Sequence, residues 1–179
     1  MSYVNQHYDP LGFIVPIEVK LRIFIQELWD KGFDWEQLFD EYPELVSNWN
    51  LLRAESLISL TKILPRSTCN DEKGILHVFC DASKNIYGAV AYIVPLENSC
   101  QSELVKSKAK IVAINKEPKI DTIPKLELMA LVIGSNVAVY CIDALFHIEI
   151  VTLYIWSDSK TALSLMIRKK NLCPIESGQ

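Results

Sequence analysis

A chain of 179 residues, half of them hydrophobic and 22% charged, is long enough to bury a core and too apolar for a disordered polyelectrolyte. Its net charge of −4 argues against tight nucleic-acid binding through bulk charge, so any polyanion contact must be local or carried by metal ions. The five cysteines (Cys69, Cys80, Cys100, Cys141, Cys173) form no Cys-x-x-Cys pair, and their odd number and scatter predict reduced thiols in an intracellular, cytoplasmic protein.

The opening MSYVNQHYDP has no basic region followed by an apolar run, so it does not read as a signal peptide. Tyr8-Asp9-Pro10-Leu11-Gly12 is a turn signal. Pro16 then suits the first turn of a helix, and Ile17, Leu21, Phe24, Ile25 and Leu28 follow one helical face up to a stop at Gly32. Pro43 starts a second helix with Leu45, Trp49 and Leu52 on one stripe. Neither helix clusters catalytic residue types, so residues 1–65 read as a small helical scaffold and 66–74 as a polar linker.

Beyond the linker the pattern becomes β-rich. Ile75–Cys80, ending in Asp81, and Ile86–Val94 flank the polar turn Ala82-Ser83-Lys84-Asn85 and predict a hairpin. Leu104–Ile114 is a third extended segment, with Lys106, Lys108 and Lys110 at alternate positions. Thr122 and Pro124 mark a helix start, Thr122 as cap, for a helix running to about Ala144. Ile148–Trp156 reads as a buried strand and Ser159–Ile167 as the next helix. The order β-β-β-α-β-α predicts an α/β domain, a mixed sheet with flanking helices, over residues 75–179. Charges are expected to break every apolar stretch before the roughly 18 residues of a membrane span, so no membrane partner is expected.

Three acids each interrupt an apolar element: Asp81 ends the first strand, Glu127 lies in the first turns of the long helix, and Asp158 follows the late strand. Acidic groups at the edge of a core are costly unless paired, hydrogen-bonded or metal-bound. Three hard oxygen ligands from separate elements suit Mg²⁺ or Mn²⁺. Taken singly, each has a structural explanation. Asp81 could begin an Asx turn, Glu127 could complement its helix dipole, and Asp158 could cap the next helix.

The strings FCDAS…YGA, IPKLELMAL and WSDSKTALS resemble the three successive active-site segments of a ribonuclease H domain. YDPLGFIVP with QELWDKGFDW resembles the stretch after the polymerase palm in BEL/Pao-type retrotransposon polyproteins, and the likeness covers roughly residues 8–168. The resemblance implies a reverse-transcriptase thumb or connection followed by a ribonuclease H-like domain. It implies two divalent ions held by Asp81, Glu127 and Asp158, with Asp81 bridging both, and hydrolysis of the RNA strand of an RNA–DNA hybrid. The implied partners are that hybrid and the remainder of the reverse-transcriptase polyprotein. Such domains have a fourth acid on a later helix, often with a histidine nearby. Glu176 is the sole acid after Asp158 and no histidine follows His147, so the domain is expected to stop short of a complete site.

Lys106, Lys108 and Lys110 could contact phosphates or simply protect an edge strand. Arg168-Lys169-Lys170 reads as a solvated helix end, Tyr87 and Trp156 as packing aromatics, His77 as a structural histidine, and Gly88 as a site of close strand approach. The competing functional class is a non-catalytic structural or hybrid-binding module. An aspartic peptidase fits less well, because Asp121-Thr122-Ile123 and Asp158-Ser159-Lys160 lack the glycine of an Asp-Thr/Ser-Gly loop. An integrase core shares the three-carboxylate layout but not the YDPLGF context.

Overall fold

A computed structural model of the chain describes residues 8–34, 40–60, 72–96, 102–113 and 122–170, with the side chains of 59–60 and 166–170 left aside. Eight elements follow one another: α1 (Val15–Asp30), α2 (Pro43–Leu60), β1 (Lys73–Ala82), β2 (Ile86–Pro95), β3 (Glu103–Ile111), α3 (Ile123–Ala144), β4 (Glu149–Trp156) and α4 (Lys160–Lys170). The strands form one mixed sheet in the order β3-β2-β1-β4, the α/β architecture expected of a ribonuclease H-like domain. β2 pairs antiparallel with β1 and β3, while β4 pairs parallel with β1. A parallel neighbour needs a crossover, and α3 supplies it. Most of the expected linker, residues 66–71, and the C-terminal residues with Glu176 lie outside the described residues, as do Ile114 and Asp121.

The core lies between one face of the sheet and α3. Burial alternates along β1, so Leu76, Val78 and Cys80 face the helix, with Ala89, Ala91 and Ile93 of β2 beside them. From α3 come Leu126, Ala130, Leu131, Val137, Ala138 and Cys141. Gly134 permits the approach, since a Cβ there would collide with the Cys80 sulfur. By length and composition α3, at 22 residues, is apolar enough to cross a membrane, which corrects the expectation that charges break every such stretch. In this fold it is the core helix, with eight of its residues buried.

Two further expectations need correction. β4 is not a buried strand: it is an outer strand whose residues are all exposed or half-buried, because α3 lies mainly over β1 and β2. Thr122 occupies the N-cap position of α3 but its side chain makes no capping hydrogen bond; Pro124 and the Lys125 N–H to Thr122 carbonyl bond (2.9 Å) start the helix.

Cys80 and Cys141 are free and buried, and burial pushes both thiols from 9.0 up to about 11. The native state therefore keeps protons that the unfolded chain releases above pH 9. Stability is expected to be unaffected by these groups below pH 9 and to fall as pH rises through 9 to 11, which urea titrations across that range would register. Replacing both cysteines by alanine should flatten that fall.

The N-terminal segment is docked on the sheet. The Asp9 carboxylate accepts from the backbone N–H groups of Gly12 (2.9 Å), Phe13 (3.0 Å) and Ile14 (2.7 Å), just ahead of α1. The turn it closes lies along β3: the Ser107 N–H donates to the Leu11 carbonyl at 2.8 Å, and the Ser107 hydroxyl donates to the Gly12 carbonyl. Farther on, the Gln26 amide donates to the Val112 carbonyl at 2.7 Å. α1 buries Val19, Leu21, Phe24 and Leu28, with Phe24 and Leu28 meeting Leu45, Trp49 and Leu52 of α2. Asp9→Ala would strand the Phe13 and Ile14 donors, since the Gly12 N–H keeps the Asp9 carbonyl at 3.3 Å, and an expected loss of about 1–2 kcal/mol should appear as a lower urea midpoint.

Candidate functional site

β1 and β4 run parallel; Asp81 is the penultimate residue of β1, and Asp158 follows the end of β4 by two residues. Their register pairs His77 with Tyr154 and ends at Phe79 with Trp156, so each aspartate stands two residues beyond the last pair. Neighbouring strands lie about 4.8 Å apart, so the two aspartates belong to the carboxyl ends of adjacent strands, where open α/β sheets commonly bind ligands. Glu127, near the start of α3, reaches the same corner from the covered side: its Oε2 accepts a hydrogen bond from the Ser159 hydroxyl, next in sequence to Asp158.

None of the three acids performs the structural task open to it. The β1–β2 turn is closed by Ser83, whose N–H donates to the Ile86 carbonyl (2.7 Å) and whose hydroxyl accepts from the Asn85 and Ile86 N–H groups. Among the described residues Asp81 accepts only from its neighbour, the Ala82 N–H, at 2.7 Å. Glu127 lies beyond the first turn of α3, which holds no acid, so the helix dipole is a weak reason for it. α4 is capped by Ser159, whose hydroxyl accepts from the Ala162 N–H at 3.2 Å, and not by Asp158. Asp81 and Asp158 are exposed and Glu127 is half-buried.

The side chains are not gathered: among the described residues no group of three or more His, Cys, Asp or Glu stands close enough to hold a metal ion. Burial alternation explains this. Asp81 shares its strand parity with His77 and Phe79, on the face opposite α3, whereas Glu127 belongs to α3. The donor set still suits a hard divalent cation, being carboxylate oxygens without a thiolate or imidazole.

The lysine row divides. By register, Lys106, Lys108 and Lys110 lie level with Ala91, Ala89 and Tyr87, on the α3 side of the sheet. Lys106 is used within the fold, donating to the Pro10 carbonyl at 2.7 Å and lying 3.9 Å over the Tyr140 ring. Lys108 and Lys110 are exposed, and Lys110, through Tyr87, is level with Ala82 at Asp81's end of β1. Gly88 is tight as expected: a Cβ there would meet the Lys108 carbonyl oxygen at 2.6 Å.

The open face carries a strip of rings. His77 stacks on Tyr154 and Trp156, and its Nδ1 accepts from the Trp156 indole N–H at 3.1 Å; Phe79 stacks on Trp156 and meets Tyr92 edge-on. His77 is therefore held by packing and by a neighbouring indole. Tyr87 faces the core, 8% exposed, while Trp156 stands half open.

Ser159 is the residue that sequence reasoning passed over. Its signal was present: a serine directly after an acid, at the point where the α4 pattern begins. Among curated proteins none matches the chain. A family model described as "Pao retrotransposon-like RNaseH-like domain" matches residues 1–159, spanning the docked N-terminal turn, the whole sheet and all three acids. The chain belongs to the Pao retrotransposon-like RNaseH-like domain family.

Proposed function

We propose that the chain supplies Asp81, Glu127 and Asp158 to a ribonuclease H-type site that hydrolyses the RNA strand of RNA–DNA hybrids within a retroelement polyprotein. The observation that carries this reading is the shared corner. Aspartates stand two residues beyond the last pair of two parallel neighbouring strands, a glutamate is tied to the turn after the second, and Ser83 and Ser159 perform the structural tasks that Asp81 and Asp158 leave undone. The three carboxylates would hold Mg²⁺ or Mn²⁺, which when bound supply an activated water and stabilise charge on the attacking and leaving oxygens. Lys108 and Lys110, exposed toward the same end of the sheet, suit phosphates of a duplex that leads away from the corner. Recognition would rest on helix shape and 2′-hydroxyls, in keeping with the net charge of −4.

The test is a cleavage assay in Mg²⁺ with labelled RNA–DNA hybrid, duplex DNA and single-stranded RNA. Shortening of only the hybrid's RNA strand, stopped by a chelator, is the expected result; equal cutting of all three substrates would refute it. The ungathered acids favour one second reading, a module that binds hybrid without cutting it. Retained hybrid binding, weakened by Lys108→Ala with Lys110→Ala and accompanied by no cleavage at any Mg²⁺ concentration, would select that reading.

A further inference from the structure

We infer that Ser159 is a positioning residue, which fixes the Glu127 carboxylate against the turn carrying Asp158 and so prepares two of the three acids for one cation. This rests on the reading of Glu127 and Asp158 as cation ligands. Ser159 is 6% exposed, one of two buried polar side chains among the described residues. Its hydroxyl accepts from the Ala162 N–H at 3.2 Å, and its single proton goes to Glu127 Oε2. A hydroxyl has one hydrogen, so α4 and Glu127 together fix its direction.

The backbone of the same residue is held as well. The Ser159 N–H donates to the Ser157 hydroxyl at 3.2 Å, and its carbonyl accepts from the Leu163 N–H at 3.0 Å. Asp158 therefore lies in a turn pinned on both sides, and α3 is tied to that turn through the Glu127 carboxylate. The bond takes only Oε2, and Oε1 has no recorded partner among the described residues. A carboxylate whose rotamer is set by an outer hydrogen bond gives up less freedom when it takes a cation, and such outer partners commonly change affinity 10–100-fold.

A helix cap alone would explain Ser159 differently, and the two roles separate experimentally. Glycine is nearly as good an N-cap as serine but has no hydroxyl to donate. Mn²⁺ binding to the full chain, followed by water-proton relaxation, should weaken about 10-fold or more in both Ser159→Ala and Ser159→Gly. Ser159→Thr, which keeps the hydroxyl, should restore wild-type affinity. Urea denaturation supplies a readout free of metal: the losses from Ser159→Ala and Glu127→Ala should be sub-additive in the double variant, since either change breaks the same bond.

Wild-type Mn²⁺ affinity in folded Ser159→Gly, or strictly additive stability losses, would overturn the inference. Asp81→Asn distinguishes its failure from that of the underlying reading, because Asp81 makes no bond to Ser159. If Asp81→Asn weakens Mn²⁺ binding and Ser159→Gly does not, only the positioning role falls. If wild type and Asp81→Asn bind Mn²⁺ equally, or not at all, the metal reading falls and the positioning role falls with it.

Discussion

Asp81→Asn is expected to lower cleavage of the hybrid's RNA strand by about a thousandfold while leaving the urea midpoint unchanged. A ligand that brings charge to the reacting phosphate contributes several kcal/mol of transition-state stabilisation, and each 1.36 kcal/mol is a factor of ten in rate. The same side chain contributes little to the fold. It is exposed, and its one bond within the described residues is to the Ala82 N–H, which an asparagine oxygen can also accept. Exposed substitutions of this kind stay within about 0.5 kcal/mol in stability. Activity and stability should thus separate at Asp81. At Ser83, which closes the neighbouring turn, an alanine should disturb the hairpin first. Equal cleavage by wild type and Asp81→Asn would sink the catalytic assignment, whatever the absolute rate.

The strands and the core helix were legible in the sequence because each depends on local patterning. Apolar runs at 75–80 and 86–94 on either side of a short polar turn mark a hairpin without knowledge of what covers it, and Pro124 after Thr122 marks a helix start even though the threonine hydroxyl goes unused. Strand order was not legible, and with it went the burial of β4. Its apolar run reads as a buried strand, but it is an exposed outer one, and its aromatics pack on His77 and Phe79 of the open face. The candidate site divides in the same way. Each acid announces itself by interrupting an apolar run, whereas the matching distance of Asp81 and Asp158 from the last β1–β4 pair needs the register, and the bond from Ser159 to Glu127 spans 32 residues. The lysine row shows the limit of alternation as a guide. Three lysines share a face, yet Lys106 is bound to the Pro10 carbonyl, 96 residues earlier.

Gly12→Ala is expected to destabilise the chain by about 3 kcal/mol or more, whereas Gly32→Ala should lose only about 1 kcal/mol. Both glycines have left-handed backbone, with φ of 81° and 85°, so both substitutions carry the conformational cost of placing a side chain there. They differ in what the new methyl meets. At Gly32 nothing lies within 4 Å, so the cost is conformational alone. At Gly12 the methyl would run into the carbonyl group of Ser107, backbone of β3 that cannot turn aside as a side-chain tip can. Relief requires the turn to move off the strand, which breaks the bonds from Ser107 to Leu11 and Gly12 and shifts the Lys106 partner at Pro10. The difference between the two variants therefore measures how firmly the N-terminal turn is docked on the sheet. It also gives a physical reason for the glycine in the YDPLGF string: Asp9 gathers three N–H groups, and only a residue without a Cβ lets the closed turn reach β3. Equal losses in the two variants by urea denaturation would mean that α1 and its turn are not held by this contact. The sheet would then have to rely on the Gln26 to Val112 bond and apolar packing to keep its β3 side covered.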